Sequence, residues 1–216
     1  MSELVQNPDK NKEERSPQEP QPSGTITRYQ SLALLGSSVL AAASTLVVTM
    51  IAQRALTGPD LTEFLLFWSA LFTVTGIITG LQPEITRAVG TARAENTGAR
   101  GARVVTVATL LGAVVAALVF TSSPLWAGHQ IPQSAPLGVA VIALGVFLYA
   151  LQATMSGLSA GEDRWYLFAA VGGLESAGRL ILMLAAALMI PSLAGLEVAT
   201  VVPMGLWLIL GFVTVS

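Results

Sequence analysis

Past Arg28 the chain is a succession of apolar runs broken by short polar stretches. Six runs of about 20 residues, the length that crosses a bilayer core, fall at 31–52, 61–82, 104–123, 137–157, 165–190 and 196–216. Unbroken apolar character over such lengths fits helices, because a bilayer offers no water to unpaired backbone groups. The punctuation agrees with this division. Gly58-Pro59-Asp60 makes a turn before the second run, and Asp60 and Glu63 have the spacing of a capping box; Pro124 follows the third run and Pro191 ends the fifth. Residues 1–29 hold no apolar run and contain Pro8, Pro17, Pro20 and Pro22 among mixed charges, the composition of a disordered tail. The fold expected is an all-α integral membrane protein, with a tail over 1–29 and a six-helix domain over 30–216. The first run also looks like a signal-peptide core, but it extends to Ala52 behind an acidic tail, which favours a retained span.

Composition sharpens this picture. Hydrophobic residues make up 53% of the 216 and charged residues only 11%, against about 25% charged in an ordinary soluble domain. A water-soluble enzyme is excluded on that ground. The net charge of −2 shows no basic excess for nucleic acid, and the absence of cysteine removes thiolate chemistry and Cys-based metal sites. The single histidine, His129, argues against zinc. No cofactor, metal or catalytic residue is expected: Ser156-Gly157 hints at a nucleophile, but His129 lies in a distant connection.

The few cations report orientation. Lys10, Lys12, Arg15 and Arg28 in the tail, Arg87, Arg93, Arg100 and Arg103 between runs two and three, and Arg164 between four and five make nine on one side; Arg54 is alone on the other. The positive-inside rule then puts the N-terminus, the 83–103 connection and the C-terminus in the cytoplasm of a plasma-membrane protein. Ile85, Ala88, Val89 and Ala92 share one face of a short helix in that connection, opposite Glu84 and Arg87, as in an interfacial helix. Trp126 and Trp165 fall at span ends, where aromatic anchors belong.

One cation is left inside. Arg179 lies in the fifth run with Glu175 four positions earlier, and at about 1.5 Å per residue the two straddle the midplane. Each costs roughly 2.5–3.5 kcal/mol at a bilayer centre, so they are expected to face protein or water. Two readings stand: a neutralising pair that locks helices, or a cavity wall on which Arg179 attracts an anionic group and Glu175 accepts a proton or cation. Pro203, with Gly205 nearby, predicts a kink in the sixth run. Gly76-x-x-x-Gly80 and Gly157-x-x-x-Gly161 allow close helix approach.

Two stretches carry a resemblance. Glu63-Phe64-Leu65-Leu66-Phe67-Trp68-Ser69, continued by Gly80-Leu81-Gln82-Pro83-Glu84-Ile85-Thr86-Arg87-Ala88, resembles the second span and following loop of polysaccharide exporters of the O-antigen and teichoic-acid type. These belong to the multidrug/oligosaccharidyl-lipid/polysaccharide flippase superfamily. Ser156-Gly157-Leu158-Ser159-Ala160-Gly161, Arg164-Trp165-Tyr166 and Glu175-Ser176-Ala177-Gly178-Arg179-Leu180 are similar to its fourth and fifth spans. The resemblance implies one lobe of a flippase-like bundle that moves a polyprenyl-diphosphate-linked saccharide outward, with Glu84 and Arg87 at the cytoplasmic mouth and Glu175 and Arg179 on the cavity wall. Members have twelve to fourteen spans, so six imply a second six-helix lobe, from this chain or another, as partner. The alternatives are a non-transporting assembly subunit and a truncated, inactive fragment. A topology reporter inserted beside His129 is expected to read out as external; a cytoplasmic signal there overturns the orientation.

Overall fold

The computed structural model describes residues 28–95 and 100–208, the side chains of 100–102 excepted. The expected tail up to residue 27 and the end of the sixth run, 209–216, lie outside the described residues. Seven α-helices follow one another: α1 Arg28–Ala55, α2 Gly58–Thr79, α3 Leu81–Ala94, α4 Arg100–Gln130, α5 Ala135–Gly161, α6 Trp165–Met189 and α7 Leu193–Val201, which passes into a 3-10 turn Val202–Gly205. No strand occurs among the described residues. Five helical stretches are long and apolar enough to cross a membrane: α1, α2 together with α3, most of α4, α5 and α6. The segment Leu193–Gly205 is apolar but shorter.

Helix α5 is the axis of the bundle. Over its most apolar stretch 56% of residues are buried, against 11% for α1, so α5 is surrounded by protein while α1 is peripheral. Its glycines make this possible. A Cβ on Gly145 would lie 3.0 Å from Val201 Cγ2 and 3.1 Å from Leu71 Cδ1, which shows how closely α2 and α7 approach. The pair Gly157 and Gly161 forms a groove for α3: added Cβ atoms would lie 2.8 Å from Ile85 Cβ and 2.7 Å from Val89 Cβ. The apolar face of the predicted short helix is thus taken up by α5. Gly76 and Gly80, with the same spacing on α2, meet no neighbouring helix.

Two cores flank the axis. One joins Phe67, Leu71, Ile142, Val146 and Met204 from α2, α5 and the 3-10 turn; the other joins Val48, Ala52, Phe64, Met183 and Leu196 from α1, α2, α6 and α7. Outside them the perimeter is apolar as well, with Leu35, Val39, Leu46, Leu110, Leu118, Ile181 and Leu188 all exposed. An apolar perimeter over an apolar core is compatible with a bundle that spans a membrane.

Two details differ from the sequence expectation, and at Pro203 the expected kink takes the form of a change in helix type. Helix α4 runs through Pro124 to Gln130 instead of ending at Ser123. Proline removes the N–H that would bond the Phe120 carbonyl, and the Ser123 hydroxyl donates to that oxygen at 2.7 Å in its place. Glu63 does not close a capping box: Thr57 precedes α2 without a side-chain cap, and Glu63 reaches the distant Gln133 and Ser134. At Pro203 the α-helix gives way to the 3-10 turn, where Leu206 N–H donates to the Pro203 carbonyl at 3.1 Å. Elsewhere the expected stops hold; α6 ends before Pro191, and Ser192 caps α7 by accepting from Gly195 N–H at 3.2 Å.

The groove under α3 yields a prediction. At Gly157 an added methyl also meets the Gln82 carbonyl at 2.9 Å, so backbone must move, at about 1–3 kcal/mol for overpacking. Gly157→Leu is expected to lower the melting temperature in detergent clearly, and Gly76→Leu to leave it nearly unchanged; equal melting temperatures for both would contradict the assigned packing.

Candidate functional site

Helix α6 carries Glu175 and Arg179 one turn apart, on the face turned toward α2 and α5. They form the expected ion pair with each other. Arg179 is 5% exposed, and its guanidinium lies 5.9 Å from the Trp68 ring centre and 5.5 Å from that of Phe72. These two rings of α2 stack on one another at 4.5 Å. Their π faces attract a cation that burial has stripped of water. Arg179 therefore has its charge balanced on one side by a carboxylate and on the other by aromatic rings.

Glu175 faces the other way as well. Its second oxygen accepts from Gln152 Nε2 of α5 at 2.8 Å, and the carboxylate borders a cavity of about 190 Å³ between α1, α5 and α6. Ser37, Ser38, Gln82, Gln152 and Ser156 complete its polar wall. The acid thus reaches the cavity while Arg179 stands behind it as counter-charge, the reverse of a wall on which a guanidinium meets an anion. Gln152 Oε1 and Arg179 Nε have no hydrogen-bond partner among the described residues. Unpaired buried polar atoms beside a polar cavity mark hydrogen-bonding capacity the fold has not used.

Glu84 and Arg87 lie on the exposed side of α3 and pair with one another, Arg87 Nη2 to Glu84 Oε2 at 2.8 Å. At the same end of the bundle Arg93 bridges to Asp163 at 2.8 Å, and both border a second cavity of about 530 Å³ with Thr86, Gly90 and Trp165. Asp163 adopts φ +60° in the α5–α6 turn, a left-handed conformation that Asp tolerates better than most residues. Exposed pairs of this kind contribute little stability; of the two, only Arg93–Asp163 joins α3 to the α5–α6 turn. Pro203 is buried against α6. A Cβ on Gly178, next to Arg179, would lie 3.7 Å from Pro203 Cβ and would clash with Leu206. Pro203 thus touches the site from behind, through α6.

Arg93–Asp163 and Gln152 belong to the site without a sequence signal, since each depends on a partner in another helix. A third group, Glu63 with Ser134 and Glu197, is fully buried at the far end of α5. Its one sequence signal is an acidic residue in an early turn of two otherwise apolar helices.

The chain is similar to curated mycobacterial proteins of unassigned role. It is 32% identical over 191 residues to uncharacterized protein Rv1510 of Mycobacterium tuberculosis, a match covering 88% of this chain and 44% of that protein. It is 30% identical over 191 residues to uncharacterized protein Mb3654 of Mycobacterium bovis and to uncharacterized protein Rv3630 of Mycobacterium tuberculosis, covering 87% of this chain and 44% of each. No family model matches the chain, and no solved structure matches it. The chain spans less than half the length of the curated relatives it matches.

Proposed function

We propose that this chain is one lobe of a plasma-membrane transporter, a flippase or exporter that moves polyprenyl-diphosphate-linked polysaccharide precursors during cell-envelope biosynthesis. The observation that carries the reading is the polar cavity at Glu175, Gln152 and Ser156 among helices whose two cores and perimeter are largely apolar. Polar lining within membrane-spanning helices costs free energy and is kept where a solute passes. Gln152 and Glu175 supply hydrogen-bond donors and acceptors for saccharide hydroxyls, and the Arg93 end supplies a cation for a diphosphate approaching from the basic side. The relatives carry more than half of their length outside the matched segment, room for the second lobe that a two-sided cavity requires. In this reading the basic side is cytoplasmic, and the substrate and the lipid bilayer are the partners.

A second reading rests on a different observation. Arg179 is 5% exposed and balanced by Glu175, Trp68 and Phe72, which is how a pair that only holds helices together would look. A non-transporting assembly subunit would need nothing more.

The two readings part experimentally. The natural chain has no cysteine, so Ser156→Cys introduces a single thiol on the cavity wall. A small membrane-impermeant thiol reagent is expected to modify it in vesicles, and protection there favours the dry bundle. Replacing both charges, Glu175→Gln with Arg179→Gln, avoids stranding either one in the core. Export of lipid-linked saccharide by the whole transporter is then expected to fall by roughly tenfold, the rate effect of 1.4 kcal/mol, at normal membrane insertion; undiminished export removes the cavity reading.

A further inference from the structure

At the end of α5 away from the Arg93–Asp163 bridge, the connection between α4 and α5 is held against α2 and α7 by two acids. Glu63 and Glu197 are 3% and 0% exposed, and among the described residues neither pairs with Lys or Arg. Glu63 accepts from Ser134 N–H at 2.7 Å and from Gln133 N–H at 3.2 Å. These amides lead into the N-terminus of α5, where the helix dipole favours an anion. Ser134 occupies the N-cap position of α5, yet its hydroxyl does not cap the helix. Instead its Oγ lies 3.0 Å from Glu63 Oε1 and 2.7 Å from Glu197 Oε1.

A serine hydroxyl has one proton to give. It cannot donate to both carboxylates, so one of the two contacts requires a proton supplied by a carboxylic acid. Glu63, with two backbone donors, is set up as the anion. Glu197 has no backbone donor, and its Oε2 is buried with no partner; as an anion it would be unbalanced in the apolar core, at a large desolvation cost. The close fit around the group points the same way. A Cβ on Gly138 would lie 3.0 Å from Ser134 Oγ and 3.4 Å from Glu197 Oε1, so the absence of a side chain there is what lets the Glu197 carboxyl reach the hydroxyl.

We infer that Glu63, Ser134 and Glu197 form a buried proton-binding site, in which Glu197 carries the proton and donates it to Ser134 Oγ, while Ser134 donates to Glu63. A metal cation does not fit in its place. Hard cations gather about six or more oxygens, whereas three side chains meet here and hydroxyl and carboxyl oxygens already touch at 2.7 Å. The titratable groups on the surrounding helices are few. Besides Glu63, α2 brings Asp60 in its first turn, and α1 and α4 bring Arg54 and His129 in their last turns; α5 brings only Tyr149; α6 brings Tyr166 and the mutually paired Glu175 and Arg179; the 3-10 turn brings none. Loss of the proton leaves two like charges facing each other across Ser134, which loosens the hold of α2 and α7 on the α4–α5 connection. The site is independent of the transport reading, because its geometry involves neither the cavity nor a substrate.

The test reads the carboxyl itself. Infrared spectra of the purified whole chain at neutral pH are expected to show the C=O band of a protonated, water-excluded carboxylic acid. Glu197→Gln is expected to abolish it and Glu175→Gln to leave it in place. A wild-type spectrum without the band, or a Glu197→Gln spectrum that retains it, overturns the assignment, as does a band removed by adding sodium or calcium at constant pH. Should Glu197→Gln fail to fold, Ser134→Ala serves instead. There the acid loses its acceptor, so the band is expected to move to higher frequency, and an unmoved band overturns the proposal.

Discussion

Charge inside an apolar helix bundle has to be balanced locally, and that requirement organises this molecule. Arg179 shows it most directly. Its guanidinium is buried, and the structure surrounds it with the Glu175 carboxylate and the rings of Trp68 and Phe72. Breaking a buried pair by removing one partner costs about 3–5 kcal/mol, because the other charge is left stranded. The position of α6 against α2 is therefore coupled to the pair, and Gly178 lets Pro203 and Leu206 press α6 from the other side. Glu175 also bonds Gln152, which extends the same network to the central helix.

The central helix solves a steric problem that accompanies the electrostatic one. Lipid tails are as apolar as leucine, so helix association inside a bilayer depends on close packing and polar contacts. Helix α5 supplies both. Gly138, Gly145, Gly157 and Gly161 admit α7, α2 and α3 at short range, while Gln152 bonds to α6 and Ser134, just before its first turn, to α2 and α7. The polar cavity lies where α1 crosses this arrangement, beside Ser37 and Ser38. A dense core thus lies on one side of α5 and a polar cavity on the other.

Much of this was legible in one dimension, and the exceptions are instructive. The apolar runs and most of their ends follow from hydropathy and from Pro191 and Gly58-Pro59. The Glu175–Arg179 pair follows from four-residue spacing on a helix, because both partners share that helix. Pro124 misleads as a stop, since a neighbouring serine can replace the bond that proline removes. Glu63 misleads as a cap, because the spacing to Asp60 says nothing about the Ser134 amide that competes for its carboxylate. Of two glycine pairs with identical spacing, one is a groove for α3 and the other is open; spacing alone does not tell which helix arrives.

What the sequence by itself determined is the all-helical, membrane-compatible class, the approximate spans and the intrahelical ion pair. These depend on composition and on the 3.6-residue repeat, both properties of contiguous chain. The tertiary structure decided which helix is central, that Arg179 is shielded while Glu175 borders the cavity, and that Glu63 and Glu197 meet over one serine hydroxyl. Such contacts join residues on different helices, and their energies depend on distances of a few ångströms that only the packed bundle sets.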